Sequence, residues 1–194
     1  LVISTLPQLA TILHLAVADL ARAHPALNIL VRTEERLARL EYGEAHVAVR
    51  AGTRPTEPDN IVQELLVGHF TLLASPAYAK EHGLPQTPED LSNHRLVTEI
   101  LDGNRAPVAK WLGALPGQPH IVLQTNETDL RLAAIKAGLG MGFLNDGAAH
   151  ADLIEIMPPL PEWGFTVWMV THVDLHRTPK VQAATSAIRK TLRR

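Results

Sequence analysis

Three glycines alternate in AAIKAGLGMGFLND, residues 133–146: Gly138, Gly140 and Gly142. Clustered glycines cradle a phosphate when a strand ends in them and a helix follows, because the free amides of the helix start then face the anion. Here the order is reversed: a helical stretch over 129–137 comes first and an apolar strand over 141–144 comes after. Gly138 is expected to end the helix in the left-handed conformation, while Gly140 and Gly142 allow close packing of the strand. No Lys-Ser or Lys-Thr follows, so the P-loop pattern also fails. Ten histidines raise a metal or acid–base possibility. His172 and His176 stand four apart, but they flank a turn instead of sharing a helix face, and no His-Glu-x-x-His accompanies them. No Gly-x-Ser-x-Gly elbow occurs, and Ser4, Ser75, Ser92 and Ser186 fall in expected capping or helical contexts. Zero cysteines exclude thiolate metal sites, disulfides and thiol redox chemistry. Neither an enzyme, a metal nor a cofactor is expected.

What remains is binding chemistry at two helix starts, residues 5–8 and 126–128. Each sets side-chain hydroxyl or amide groups, Thr5 and Gln8 in one and Asn126 and Thr128 in the other, beside backbone amides that a helix start leaves unsatisfied. That setting suits a carboxylate or similar anion. Helix capping explains Thr5 and Thr128 equally well. Arg50, at the end of a strand, offers a charge or braces the loop beyond it.

Periodicity supplies the elements that position these groups. Residues 1–5 are apolar and partly β-branched, a strand. Pro7 opens an amphipathic helix with Leu9, Ile12, Leu13, Ala16, Val17 and Leu20 on one face, stopped by His24-Pro25. A strand over 27–32, a helix over 34–42 ending at Gly43 and a strand over 46–50 follow, the alternation of a parallel α/β sheet. After the loop GTRPTEPDN comes an apolar strand over 61–74, with a break expected at Gly68 and His69. Ser75-Pro76 and Thr87-Pro88 begin helices, hydroxyl before proline. Strands are expected at 96–98 and 121–124. Asn126 or Thr128 caps a helix with Leu130, Ala133, Ala134 and Ala137 inward. A strand over 165–170 precedes a last helix from Thr178-Pro179, with Val181, Ala184, Thr185, Ile188 and Leu192 inward. The βα clusters before residue 74 and after 95 imply two α/β lobes.

Composition sets the outer bounds. The chain has 194 residues, 46% hydrophobic and 20% charged, with 18 basic against 20 acidic side chains for a formal charge of -2. This is ordinary globular composition, without a general attraction to nucleic acid or anionic membranes. No stretch approaches the ~18 to 20 uninterrupted apolar residues of a membrane helix. The strand at residue 1, with no initiator Met or signal segment, is expected of a piece of a longer protein. The basic RKTLRR end complements the dipole of the last helix.

Five segments, in order, carry a resemblance: LVISTLPQLATILHLAVADLARAHPALNI, YGEAHVAVRAG, LLASPAYAKEHGLPQTPEDLSNHRLV, the helix-AGLGMG-strand stretch and VWMVTHVDLHRTPKVQAATSAIRKTL. Together they resemble the effector-binding domain of LysR-type transcriptional regulators over essentially the whole chain. The resemblance implies two α/β subdomains joined by two crossover strands, similar to type II periplasmic binding proteins. Subdomain I would be 1–73 plus 167–194 and subdomain II 74–166, with a winged helix-turn-helix domain preceding residue 1. It also implies a cytoplasmic, DNA-binding homodimer or tetramer, with the first long helix packing on a neighbouring subunit and no membrane partner. A small anionic or polar effector would bind in the cleft between subdomains and shift their angle. It would be lined by Thr5, Gln8, Arg50, Thr98, Asn126, Thr128, Phe143 and Leu144. For Phe143, core packing competes with ligand contact. His46 stands where the family usually has Asp, and Asn145-Asp146 where it often has Pro. A transporter's solute-binding protein would share the fold and is the alternative.

Overall fold

The computed structural model describes residues 1–34, 36–100, 107–145 and 150–192. They form two compact units, Leu1–Val67 with Thr166–Arg194, and Gly68–Phe165. Unit 1 opens with β1 (Val2–Thr5), α1 (Pro7–Ala10), a 3-10 turn over Thr11–Leu13 and α2 (His14–Ala23). The expected helix from Pro7 is therefore divided, although its inward face holds, with Leu9, Leu13, Ala16 and Leu20 buried. β2 (Leu30–Thr33) and β3 (Val47–Ala51) follow.

No α-helix forms over 34–42; only Leu40–Tyr42 makes a 3-10 turn, and Glu35 lies outside the described residues. The helical pattern of RLARLEY loses to one carboxylate. Glu44 accepts from Arg39 N–H at 2.9 Å, Arg39 Nε at 3.1 Å and Arg36 Nη1 at 2.9 Å, which holds the segment open. These bonds, led by that from the Arg39 backbone, lower the Glu44 pKa to about 2. Gly43 then turns the chain with φ 71°.

The chain enters unit 2 along β4 (Asn60–Ala74), which is continuous through Gly68 and His69 where a break was expected. Gly68 serves close packing: a Cβ there would stand 2.7 Å from Cζ of Phe165. α3 (Pro76–His82) starts as anticipated, Ser75 Oγ accepting from Tyr78 N–H at 3.2 Å. Ser75→Ala should cost about 1 kcal/mol in urea unfolding followed by the unit 2 tryptophans; an unchanged midpoint would show that the cap carries no stability. A 3-10 helix over Pro88–Asn93 has a capping box, with Asp90 accepting from Thr87 N–H at 2.9 Å. Then come β5 (Arg95–Thr98), α4 (Pro107–Ala114), β6 (His120–Gln124), α5 (Thr128–Lys136), β7 (Met141–Asn145) and β8 (Ile154–Met157). α4 and β8 lacked a sequence expectation. β9 (Gly164–His172) returns the chain to unit 1, where α6 (Val173–His176) and α7 (Pro179–Leu192) close it. Val181, Ala184, Thr185 and Ile188 are buried and Leu192 half-buried, as the spacing of the last helix predicts.

In unit 1, β1 lies parallel between β2 and β3, and β9 runs antiparallel beside β3. α2 packs along α7. In unit 2, β5 lies parallel between β6 and β7, while β7 and β8 each run antiparallel to β4. Trp111, Phe143 and Trp163 pack edge to face in its core, with centroids 4.9 to 6.0 Å apart. No described helix is long and apolar enough to cross a membrane.

Two histidines are built in as acceptors. His94 Nδ1 lies 3.1 Å from the Tyr78 hydroxyl, whose oxygen accepts Arg95 N–H at 3.0 Å, so the hydroxyl proton goes to His94. His46 Nδ1 accepts Val2 N–H at 3.0 Å, an acceptor role that an Asp would also fill. Burial holds both below the ordinary histidine pKa, against Asp90 for His94 and with Lys180 for His46. The unfolded chain thus binds more protons below about pH 6.5, and stability is complete above that pH and falls beneath it. Melting temperature should drop between pH 7 and 5, and His94→Gln should flatten the share reported by unit 2. An equal slope in the variant would count against this.

Candidate functional site

Both units gather their polar side chains at the carboxyl ends of parallel strands, where helices begin. In unit 1, Thr5 ends β1, in register with Thr33 of β2 and Val49 of β3. Its carbonyl accepts Glu34 N–H at 3.0 Å. Its side chain does not cap α1: the N-cap is Leu6, without a side-chain bond. Thr5 is fully buried and its Oγ1 has no hydrogen-bond partner among the described residues. Gln8, in the first turn of α1, is half-buried.

Arg50 is only 5% exposed, and its Nη2 donates to Ser4 Oγ at 2.8 Å. Ser4 Oγ in turn donates to Glu34 Oε1 at 3.3 Å. Ser4 is thus no cap but the buried middle of a chain, Glu34–Ser4–Arg50, whose Glu34 end is half-buried. Burial lowers the Arg50 pKa and the Glu34 charge opposes that. Arg50 braces the start of the segment after β2, so its charge is balanced within the unit.

In unit 2, Thr98 ends β5 buried, in register with Gln124 of β6, and its carbonyl accepts Thr125 N–H at 3.0 Å. Neither Asn126 nor Thr128 caps α5. The N-cap is Glu127, without a side-chain bond, because Asn126 Oδ1 turns to Ile100 N–H at 3.3 Å and Thr128 is already helical. The inward face of α5 is also displaced from expectation. Leu130 is 50% exposed, and Ala133 and Ala137 are exposed; Arg131, Ala134 and Ile135 are buried.

Arg131 is the consequence of that displacement. Its Nη1 pairs with Glu99 Oε1 at 2.6 Å and its Nη2 donates to Thr128 Oγ1 at 3.4 Å. Sequence inspection missed Arg131, Glu99, Ser4 and Glu34. The available signal was an arginine at i, i+3, i+4 spacing with Ala134 and Ile135.

Phe143 and Leu144 point to opposite faces of β7. Phe143 packs with Trp111 and Trp163, and Leu144 with Val97, Ala134 and Ile135, so both are core residues. The glycines fit the order-based expectation. Gly138 has φ 79°, its N–H bonds to Ile135 O and Leu139 N–H to Ala134 O, the paired bonds of a left-handed helix stop. A Cβ on Gly142 would meet Val97 O at 2.6 Å and Ile135 Cδ1 at 2.7 Å.

The histidine pair is structural. His172 Nδ1 accepts Asp174 N–H at the start of α6, and His176 Nδ1 lies 2.8 Å from Thr171 Oγ1. No metal-type cluster occurs among the described residues. Asn145 ends β7, while Asp146 and the last two arginines lie outside the described residues.

Comparison with known proteins places this arrangement. The family model of the LysR substrate binding domain matches residues 1–193. The chain is 25% identical over 185 residues to the probable HTH-type transcriptional regulator LtrA of Klebsiella pneumoniae, covering 87% of this chain and 58% of that protein. It is 24% identical over 185 residues to the HTH-type transcriptional regulator DmlR of Escherichia coli, covering 90% and 59%. The chain thus spans somewhat under three fifths of these relatives. In fold it is similar to the CrgA regulatory domain of Neisseria meningitidis, a LysR-type regulator, with TM-score 0.80, 19% identity and coverage of 99% and 98%. The regulatory domain of AphB from Vibrio vulnificus gives TM-score 0.74, 23% identity and coverage of 96% and 97%. The fold is the α/β, type II periplasmic-binding-protein-like fold of such effector-binding domains. The relatives are transcriptional regulators, so the transporter alternative is not favoured. The chain belongs to the LysR substrate-binding domain family.

Proposed function

We propose that this chain is the ligand-sensing part of a LysR-type transcriptional regulator and responds to a small anionic or polar effector, with Thr5 and Gln8 the candidate contacts of unit 1 and Thr98, Asn126 and Thr128 those of unit 2. The observation that carries the reading is the Thr5 hydroxyl, fully buried at a strand's carboxyl end with no partner among the described residues. A buried polar group left unpaired costs about 1–3 kcal/mol, and an effector's oxygen or nitrogen would offset that cost. Within unit 1 Arg50 bonds to Ser4, the residue before Thr5, and within unit 2 Phe143 and Leu144 belong to the core. The DNA contact belongs to a winged helix-turn-helix domain preceding residue 1, in a cytoplasmic homodimer or tetramer without a membrane partner. The reading includes no catalytic step, cofactor or metal.

Thr5→Val tests this, since it keeps the side chain's shape and removes the orphaned hydroxyl. Stability should hold or rise by about 1 kcal/mol, while an effector found by thermal-shift screening of metabolites should bind at least tenfold more weakly. Unchanged effector affinity in the variant would sink the assignment of Thr5.

A further inference from the structure

Unit 1 carries an open pocket of about 790 Å³ lined by Ile61, Val173, His176, Arg177 and Gln182. That volume lies within the ~300–1,000 Å³ of small-molecule sites. β3 runs parallel to β1 and β9 antiparallel to β3, so α6, which follows β9, sits where β1 and β3 begin. The pocket is therefore at the opposite end of the sheet from Thr5. One part of its lining is apolar, with Ile61 half-buried and Val173 49% exposed. Val173 N–H donates to Asp59 O at 2.9 Å, which ties α6 to the residue before β4 and fixes this wall.

The polar part is anchored from behind. His176 Nδ1 lies 2.8 Å from the hydroxyl of buried Thr171, which turns the Nε2 edge of the ring away from the core. When that hydroxyl donates to Nδ1, Nε2 carries the ring proton and is a donor. Gln182 Nε2 donates to His176 O at 2.6 Å, and its second N–H is left for another acceptor. Arg177 is exposed, and its guanidinium has neither hydrogen bond nor ion pair among the described residues. The acid of α6, Asp174, stands beside His172 instead, its side chain 81% exposed. A guanidinium pairs with both oxygens of a carboxylate, and the apolar wall beside it suits a hydrocarbon body. We propose that this pocket is a second ligand site, separate from the effector contacts of the preceding section, and that it takes a small amphipathic acid. The carboxylate sits on Arg177 and His176 Nε2–H, and the apolar body on Val173 and Ile61.

The test titrates phenylacetate, phenylacetamide and acetate into the chain at matched ionic strength, with the backbone amide resonances followed by NMR. Phenylacetate should shift Val173, Arg177 and Gln182 saturably. Its affinity should be at least fivefold higher than that of phenylacetamide, which lacks the charge, and of acetate, which lacks the ring. Arg177→Gln and Val173→Ser change exposed side chains and should melt as the wild type does, yet each should weaken phenylacetate at least fivefold. Arg177→Gln should also erase the advantage over phenylacetamide, and Thr5→Val should change nothing at these resonances. Affinity retained in Arg177→Gln, or an equal response to phenylacetamide, overturns the assignment. The absence of saturable shifts at Val173, Arg177 and Gln182 does so too. A phenylacetate response confined to Thr5, Gln8 or unit 2 removes the second site and leaves the effector reading standing.

Discussion

Arg131→Met alone is expected to destabilise unit 2 by about 3 kcal/mol, near the lower end of what breaking a buried ion pair costs. The value is set by asymmetry between the partners. Arg131 has a side chain 4% exposed and Glu99 one 17% exposed. Removing the guanidinium leaves a carboxylate with little water and without its 2.6 Å partner. Met fills similar volume, so a cavity adds little. Adding Glu99→Gln should restore most of the loss, because a neutral amide is far cheaper to bury than a charge. Urea unfolding gives the cycle directly, with Trp111 and Trp163 reporting unit 2. A double variant as unstable as the single would show that the cost comes from packing and not from charge.

Gly142→Ala should cost roughly 2–3 kcal/mol, at the upper part of the usual range for overpacking. The added Cβ would stand 2.6 Å from Val97 O, a backbone atom of the neighbouring strand, and 2.7 Å from Ile135 Cδ1 on α5. Ile135 is fully buried and cannot swing aside, and Val97 is in register with Gly142 in the sheet. Gly83→Ala is the comparison. There φ is 72° and ψ -171°, a region kept essentially to glycine, with nothing within 4 Å of the added Cβ, so backbone strain alone opposes it, about 1–3 kcal/mol. Equal midpoints for Gly142→Ala and wild type would contradict the close approach of β7 to β5 and α5.

The strongly patterned elements were readable from the residues. The inward face of α7 follows its spacing from Val181 to Ile188, and the stop at Gly138 follows from the order of helix and strand. What escaped was decided by single polar groups acting over distance. Glu44 unwinds a segment with good helical propensity through bonds to Arg36 and Arg39, which no local pattern encodes. Arg131 sits on the buried stripe of α5 because Glu99, 32 positions earlier in the chain, awaits it. An apolar-stripe reading prefers Leu130 there, and the burial of Arg131 displaces the whole face by one residue. Thr5, Asn126 and Thr128 stand out as candidates by their position at strand ends and helix starts. Their hydrogen-bond directions do not follow from it, since these depend on Ile100 and Arg131.

The central claim is that this chain senses a small molecule at those strand ends. The most direct measurement is an NMR map of the metabolite that most raises the chain's melting temperature. The expected result is a saturable set of shifts covering Thr5 and Gln8 in unit 1 or Thr98 and Asn126 to Thr128 in unit 2. Shifts confined to residues away from both sets, or no stabilising small molecule in a broad metabolite screen, would contradict the account.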